Sequence, residues 1–178
     1  YHSKIICQAF PRKSGAHFLY PKEEIMPDKI KQPKDKSIKS QDFQLSLIWS
    51  KGFSADNTAR FTKVQKYVDS ECLRLMTPYT PARNEVLTRS ATLGTKIGSG
   101  RIVYNSPYAR YQYYGKLMVS SVTGSAYAKS GESKVLTDID LKYDTSRHSQ
   151  AQRLWFEAMK ADKKEQILRG AAAIARRG

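Results

Sequence analysis

Little in this sequence serves covalent or redox chemistry. Among 178 residues there are two cysteines, Cys7 and Cys72, and three histidines, His2, His17 and His148. The cysteines match neither a CxxC pair nor a Cys/His ligand spacing, so they read as two buried thiols rather than a disulfide or a metal site. The histidines stand apart from one another and from any Ser or Cys in a catalytic spacing, so no nucleophile motif is visible. Long apolar runs are missing as well. No stretch approaches the ~20 residues that a membrane span requires, and the opening segment lacks the apolar core and small-residue cleavage site of a signal peptide. The reading is a chain that is not an enzyme, has no cofactor and no metal, and does not enter a membrane.

Two near-motifs fail on their chemistry. Gly98-Ser99-Gly100 has no terminal Lys-Ser/Thr and no strand before and helix after, so it is no phosphate loop and reads as a hairpin turn. Asp138, Asp140 and Asp144 lie close in sequence, but without the glycine turn and closing Glu of a calcium loop they read as ordinary loop acids.

What the chain does have is basic charge and a core's worth of apolar residues. Lys and Arg number 31 against 16 acids, a formal +15, while 40% of residues are hydrophobic and 11% aromatic. The apolar share suffices for one core. The positive excess suggests an anionic partner, a nucleic acid or an acidic protein face, although it is spread along the chain rather than concentrated.

Residues 1–40 hold Pro11, Pro21, Pro27 and Pro33 and a Lys-rich run from Lys29 to Lys39 with little periodicity, and so read as an extended basic arm. Met26 follows Lys22-Glu23-Glu24-Ile25, whose codons can spell a purine-rich ribosome-binding site, so translation is expected to be annotated from Met26 with residues 1–25 upstream. Residues 41–178 form the domain proper. Phe43, Leu45, Leu47 and Trp49 alternate with polar residues, the period of a half-buried strand. Asp56 or Asn57 can cap a helix over 57–76, in which Phe61, Val64, Val68, Cys72 and Leu75 recur at three- and four-residue steps, and which Pro78 and Pro81 end. A short helix over Asn84–Ala91, a strand at Arg101–Asn105, a helix opened by Pro107 and a strand near 116–120 follow. Residues 119–134, rich in Ser, Gly, Thr and Ala, read as a long docking loop, with Leu117, Met118, Val119, Val135 and Leu136 as apolar grips at its base. The end predicts either two C-terminal helices or one broken near Ala161-Asp162.

Five tyrosines, Tyr104, Tyr108, Tyr111, Tyr113 and Tyr114, are interleaved with Arg101 and Arg110. Tyr and Arg are enriched at the centres of protein interfaces, because a rigid amphipathic ring and a forked donor bury area at small entropy cost. The same composition can stack single-stranded nucleic acid, or can seal a core with its hydroxyls outward. With Lys116, Leu117 and Met118 these residues make the candidate assembly surface.

The segments Tyr67-Val68-Asp69-Ser70-Glu71, Pro78-Tyr79-Thr80-Pro81 and, above all, the block from Gly98 to Lys116 resemble the minor capsid protein family of tailed bacteriophages, similar in type to tail-completion proteins. Trp155 to Asp162 extends the resemblance, which covers about residues 42–176. It implies a structural virion protein of the head–tail connector, or neck, forming a homo-oligomeric ring between the head-side connector and the tail. It implies no catalytic residue. The partners implied are the chain itself, adjacent head-side connector and tail proteins, and possible contact with packaged DNA. A tail terminator ring is the alternative of the same class, and a nucleic-acid-binding protein using the arm and the Tyr/Arg cluster the alternative of another. The expected fold is α+β: a small, mostly antiparallel sheet packed by one long helix and C-terminal helices, with the arm and the loop outside. Unpaired sheet edges would be covered by neighbouring subunits.

Overall fold

The computed structural model describes residues 29–106 and 108–177, together with the backbone of Lys4–Cys7. The elements run β1 (Lys4–Cys7), β2 (Lys36–Lys39), β3 (Gln44–Leu47), α1 (Phe53–Met76), a 3-10 turn (Thr77–Tyr79), α2 (Val86–Gly94), β4 (Arg101–Tyr104), α3 (Ala109–Tyr114), β5 (Lys116–Ser120), β6 (Lys134–Asp140) and α4 (Trp155–Arg177). The α+β class read from the sequence holds.

Helix α1 begins four residues before the expected start. Gly52 precedes it without a side-chain cap, and Asp56 and Asn57 lie within the first turns. Asp56 still suits the positive end of the helix dipole, while the Asn57 amide donates to the Phe53 carbonyl at 2.7 Å. Its apolar stripe buries Val64, Cys72, Leu75 and Met76, with Val68 half-buried and Phe61 exposed near its start. Pro78 then removes a donor and ends the helix.

Helix α4 is one uninterrupted helix, with no break at Ala161-Asp162. No Gly or Pro stands there, and Asp162 accepts a hydrogen bond from the Tyr79 hydroxyl at the far end of α1. Farther along α4, Gly170 sits against the Tyr67 ring, where an added Cβ would meet the hydroxyl at 1.8 Å. Tyr79 facing Asp162 and Tyr67 facing Gly170 make the two long helices antiparallel, and Gly170 permits their close approach. Between them and α2 sit Ile102 and Tyr104 of β4, both 0% exposed, with Leu87, Ala91, Tyr113, Trp155, Phe156 and Met159 completing the core.

The strands depart most from expectation. In place of one small sheet the described residues form three separate two-stranded ladders: β1–β4 parallel, β2–β3 antiparallel and β5–β6 antiparallel. The segment around 43–49 is not a core strand. It pairs with Lys36–Lys39, from the expected arm, in a hairpin whose eight strand residues are all exposed. Alternation gave this strand an apolar face, but the described residues leave that face exposed. The arm also reaches the core, since Lys4–Cys7 pairs with Arg101–Tyr104. The Met26 start and Pro107 fall outside the described residues.

Gly98-Ser99-Gly100 is not a hairpin turn, because it joins a helix, α2, to a strand, β4. The loop is held by the fully buried Asp69 of α1, whose Oδ2 accepts from the Gly98 and Gly100 amides at 2.7 and 3.0 Å. Both glycines have positive φ, 96° and 70°, which lets two amide groups two residues apart converge on one oxygen. The 119–134 segment is the connection of the β5–β6 hairpin, whose strands take its first two residues and its last. Ser120 bonds Glu132 at 2.7 Å and Lys134 bonds the Ala126 carbonyl at 2.6 Å, so the loop closes on itself.

Candidate assembly surface

The Tyr/Arg block divides when it folds. Tyr104 and Tyr113 belong to the core: the Tyr104 hydroxyl accepts from Trp155 Nε1 at 2.9 Å and contacts Met76 Sδ at 3.6 Å. The Tyr113 ring meets Trp155 edge-on, centroids 4.8 Å apart. These two follow the core-sealing reading of the cluster rather than the assembly one, because β4 and α3 turn them toward α4. Tyr108, Tyr111 and Arg101 are half-buried, while Tyr114 and Arg110 are exposed. The Lys134 ammonium lies 5.7 Å from the Tyr111 ring centroid, a cation–π contact at the loop end of the second hairpin. Lys116 pairs with Asp140 at 2.9 Å and also donates to the Asp138 carbonyl at 3.1 Å, so it staples β5 to β6. Leu117 and Met118 are half-buried on the same ribbon.

The exposed apolar surface lies elsewhere. On β2–β3, Ile38 stands opposite Leu45, and Leu47 and Phe43 share that face by alternation. All four are more than half exposed. The hairpin is tethered only at its base: Ile30 and Gln32 bond Ser54 and Thr58 at the start of α1, and the Trp49 amide donates to Asp35. A two-stranded hairpin is marginal alone, and an uncovered apolar face of this kind marks a contact surface. The second hairpin exposes Val135, Leu136 and Ile139.

At the other end of α1 lies an open cavity of about 360 Å³, lined by Pro81, Ala82, Arg83, Leu87, Tyr108, Lys142, Tyr143 and Asp144 among others. Tyr143 donates to the Gln112 carbonyl, and burial pushes its hydroxyl up to about 12. Asp144 is held below the usual carboxylate range chiefly by hydrogen bonds from Ser146, with Arg83 adding to the effect.

Of the groups considered for chemistry, His2, His17 and the Cys7 side chain lie outside the described residues, while His148 and Cys72 are otherwise engaged. His148 Nδ1 lies 2.7 Å from the Thr80 carbonyl. Burial raises the Cys72 thiol to about 11, which leaves it a thiol at neutral pH. Among the described residues no group of three or more His, Cys, Asp or Glu is placed to hold a metal ion, and no helix is long and apolar enough to cross a membrane. Sequence reasoning missed the cavity, strand β6 and the role of Asp69. Val135, Thr137 and Ile139 carry a period-two signal for β6, whereas nothing local in the sequence links Asp69 to a loop 29 residues away.

No family model matches the chain, and no curated protein or solved structure is significantly similar to it.

Proposed function

We propose that the chain is a structural subunit of a tailed-bacteriophage particle, one of the proteins that assemble as a ring at the neck between head and tail. The observation that carries this reading is the β2–β3 hairpin, which presents an apolar face left exposed by every described residue. A face of that kind is costly in water and is satisfied by a neighbouring protein. The resemblance of the Gly98–Lys116 block to phage minor capsid proteins supplies the setting. Gly98 and Gly100 in that block have a structural use here, since the Asp69-held loop positions β4, and β4 delivers Tyr104 to the core.

In this role the compact part of the chain is a spacer and the two hairpins are its grips. The test is location. Gold label directed at a C-terminal tag is expected to mark one site per particle, at the head–tail junction. Label scattered over the capsid, or particles without the chain, would rule the reading out.

A further inference from the structure

We propose that copies of this chain join head to tail by seating the tip of the β2–β3 hairpin, Asp42 and Phe43, in the Arg83/Lys142 cavity of the next copy. This deepens the ring reading and rests on it only in supposing that copies of the chain meet.

The tip offers an aromatic side chain with a carboxylate beside it, and the cavity an aromatic-lined hollow with a surplus of positive charge. Phe43 is 61% exposed, and the tip turn is closed by the Ser40 amide donating to the Phe43 carbonyl at 2.8 Å, which fixes the protrusion. The cavity, about 360 Å³, is ample for one aromatic side chain, and Ala82, Leu87, Tyr108 and Tyr143 give it apolar and aromatic lining. Its charged lining residues are Arg83, Lys142 and Asp144, two cations against one anion. Asp42 is the carboxylate beside Phe43 and would balance the surplus charge. Ile38 and Leu45, on the same face as Phe43, would be shielded by the same contact.

The two features cannot meet within one molecule. The hairpin is tethered at Ser54 and Thr58, in the first turns of α1, whereas the cavity begins at Pro81, beyond its last turn. At ~1.5 Å per residue, α1 holds the two ends roughly 35 Å apart. From Asp35 to the tip the hairpin reaches only ~20 Å. Knob and hole at opposite ends of a rigid helix pair make a heterologous contact, which closes into a ring when the rotation per copy permits.

Three chains test this by sedimentation velocity, with far-UV circular dichroism and thermal melts confirming that each remains folded. A tip variant, Asp42→Lys with Phe43→Ala, keeps its cavity. A cavity variant, Arg83→Glu with Lys142→Glu, keeps its tip. Wild type is expected to show concentration-dependent association and each variant alone to stay monomeric. An equimolar mixture should form a one-to-one dimer and nothing larger, because a single live contact remains between them. A third chain, Asp42→Lys with Arg83→Glu and Lys142→Glu, retains Phe43 and reverses both charges, so it should regain association. Wild type monomeric at every concentration, either variant associating like wild type, or a mixture that stays monomeric overturns the contact. Each of those results leaves the neck location to be judged by the gold label alone, and a label away from the neck leaves the contact standing.

Discussion

Strands β3 and β4 are four residues each, and both carry large apolar residues at their second and fourth positions, Gln44-Leu45-Ser46-Leu47 and Arg101-Ile102-Val103-Tyr104. Their fates are opposite. Ile102 and Tyr104 are wholly buried, whereas Leu45 and Leu47 are 63% and 55% exposed. The difference lies in what surrounds them. β4 is followed by α3, preceded by a loop locked onto Asp69, and roofed by Trp155 from the other end of the chain. Among the described residues β3 pairs with β2 alone. Alternation therefore says that a face is made for burial and leaves open what will bury it.

The largest effect that separates the two regions is expected at Trp155. Trp155→Ala removes the ring packed on Tyr104 and Tyr113 and the hydrogen bond to the Tyr104 hydroxyl. The cost should be about 3–5 kcal/mol, read as a fall in midpoint in urea or heat. A loss below ~1 kcal/mol would mean that α4 is not part of the core.

Asp69→Ala comes next, at about 2–4 kcal/mol, because it leaves the Gly98 and Gly100 amides without their acceptor and frees Gln65, which donates to Asp69 at 2.8 Å. Asp69→Asn keeps an acceptor oxygen and should lose less. Equal losses would show that the carboxylate's charge, rather than its two-amide geometry, holds the loop.

Tyr79→Phe should cost about 1–2 kcal/mol at neutral pH, since it deletes a hydrogen bond to a charged acceptor. Donation to Asp162, with burial adding to it, pushes the Tyr79 hydroxyl from 10.0 up to about 12. The folded value is the higher one, so this contribution is whole below pH 10 and is lost as pH rises from about 10 to about 12. The same bond holds the Asp162 carboxyl below its ordinary 3.8, so at the acid end the contribution is lost as pH falls below that value. The gap between thermal melts of wild type and Tyr79→Phe should shrink steadily as pH rises from 10 toward 12; a constant gap would show that packing, not the hydrogen bond, makes the difference.

The smallest effect belongs to the hairpin. Leu45→Ala and Leu47→Ala should change the stability of the isolated chain by less than ~0.5 kcal/mol, because little area is buried there to lose. A loss of 2 kcal/mol or more would place that face in the core after all and erase the contrast with β4.

Local features of this protein were legible without a structure. The three- and four-residue spacing of Val64, Val68, Cys72 and Leu75 specifies the long helix, because a helix turns once in 3.6 residues and only that spacing gathers them on one side. Pro78 specifies its end, and the α+β class follows from mixing that period with alternating strands. Apolar residues from Trp155 onward mark the C-terminal helix, while its continuity past Ala161-Asp162 depended on Tyr79 reaching Asp162 across 83 residues. Local signals predicted a strand at 43–49, from alternation, and one at 101–105, after a glycine-rich turn, without telling which would be buried. Which tyrosines would be core and which surface, that an aspartate in α1 would hold a glycine loop, and that strands read as one sheet would stand as three ladders were decided only by tertiary structure. Those outcomes depend on contacts between residues far apart in sequence, whose energies outweigh the local preferences that a single sequence displays.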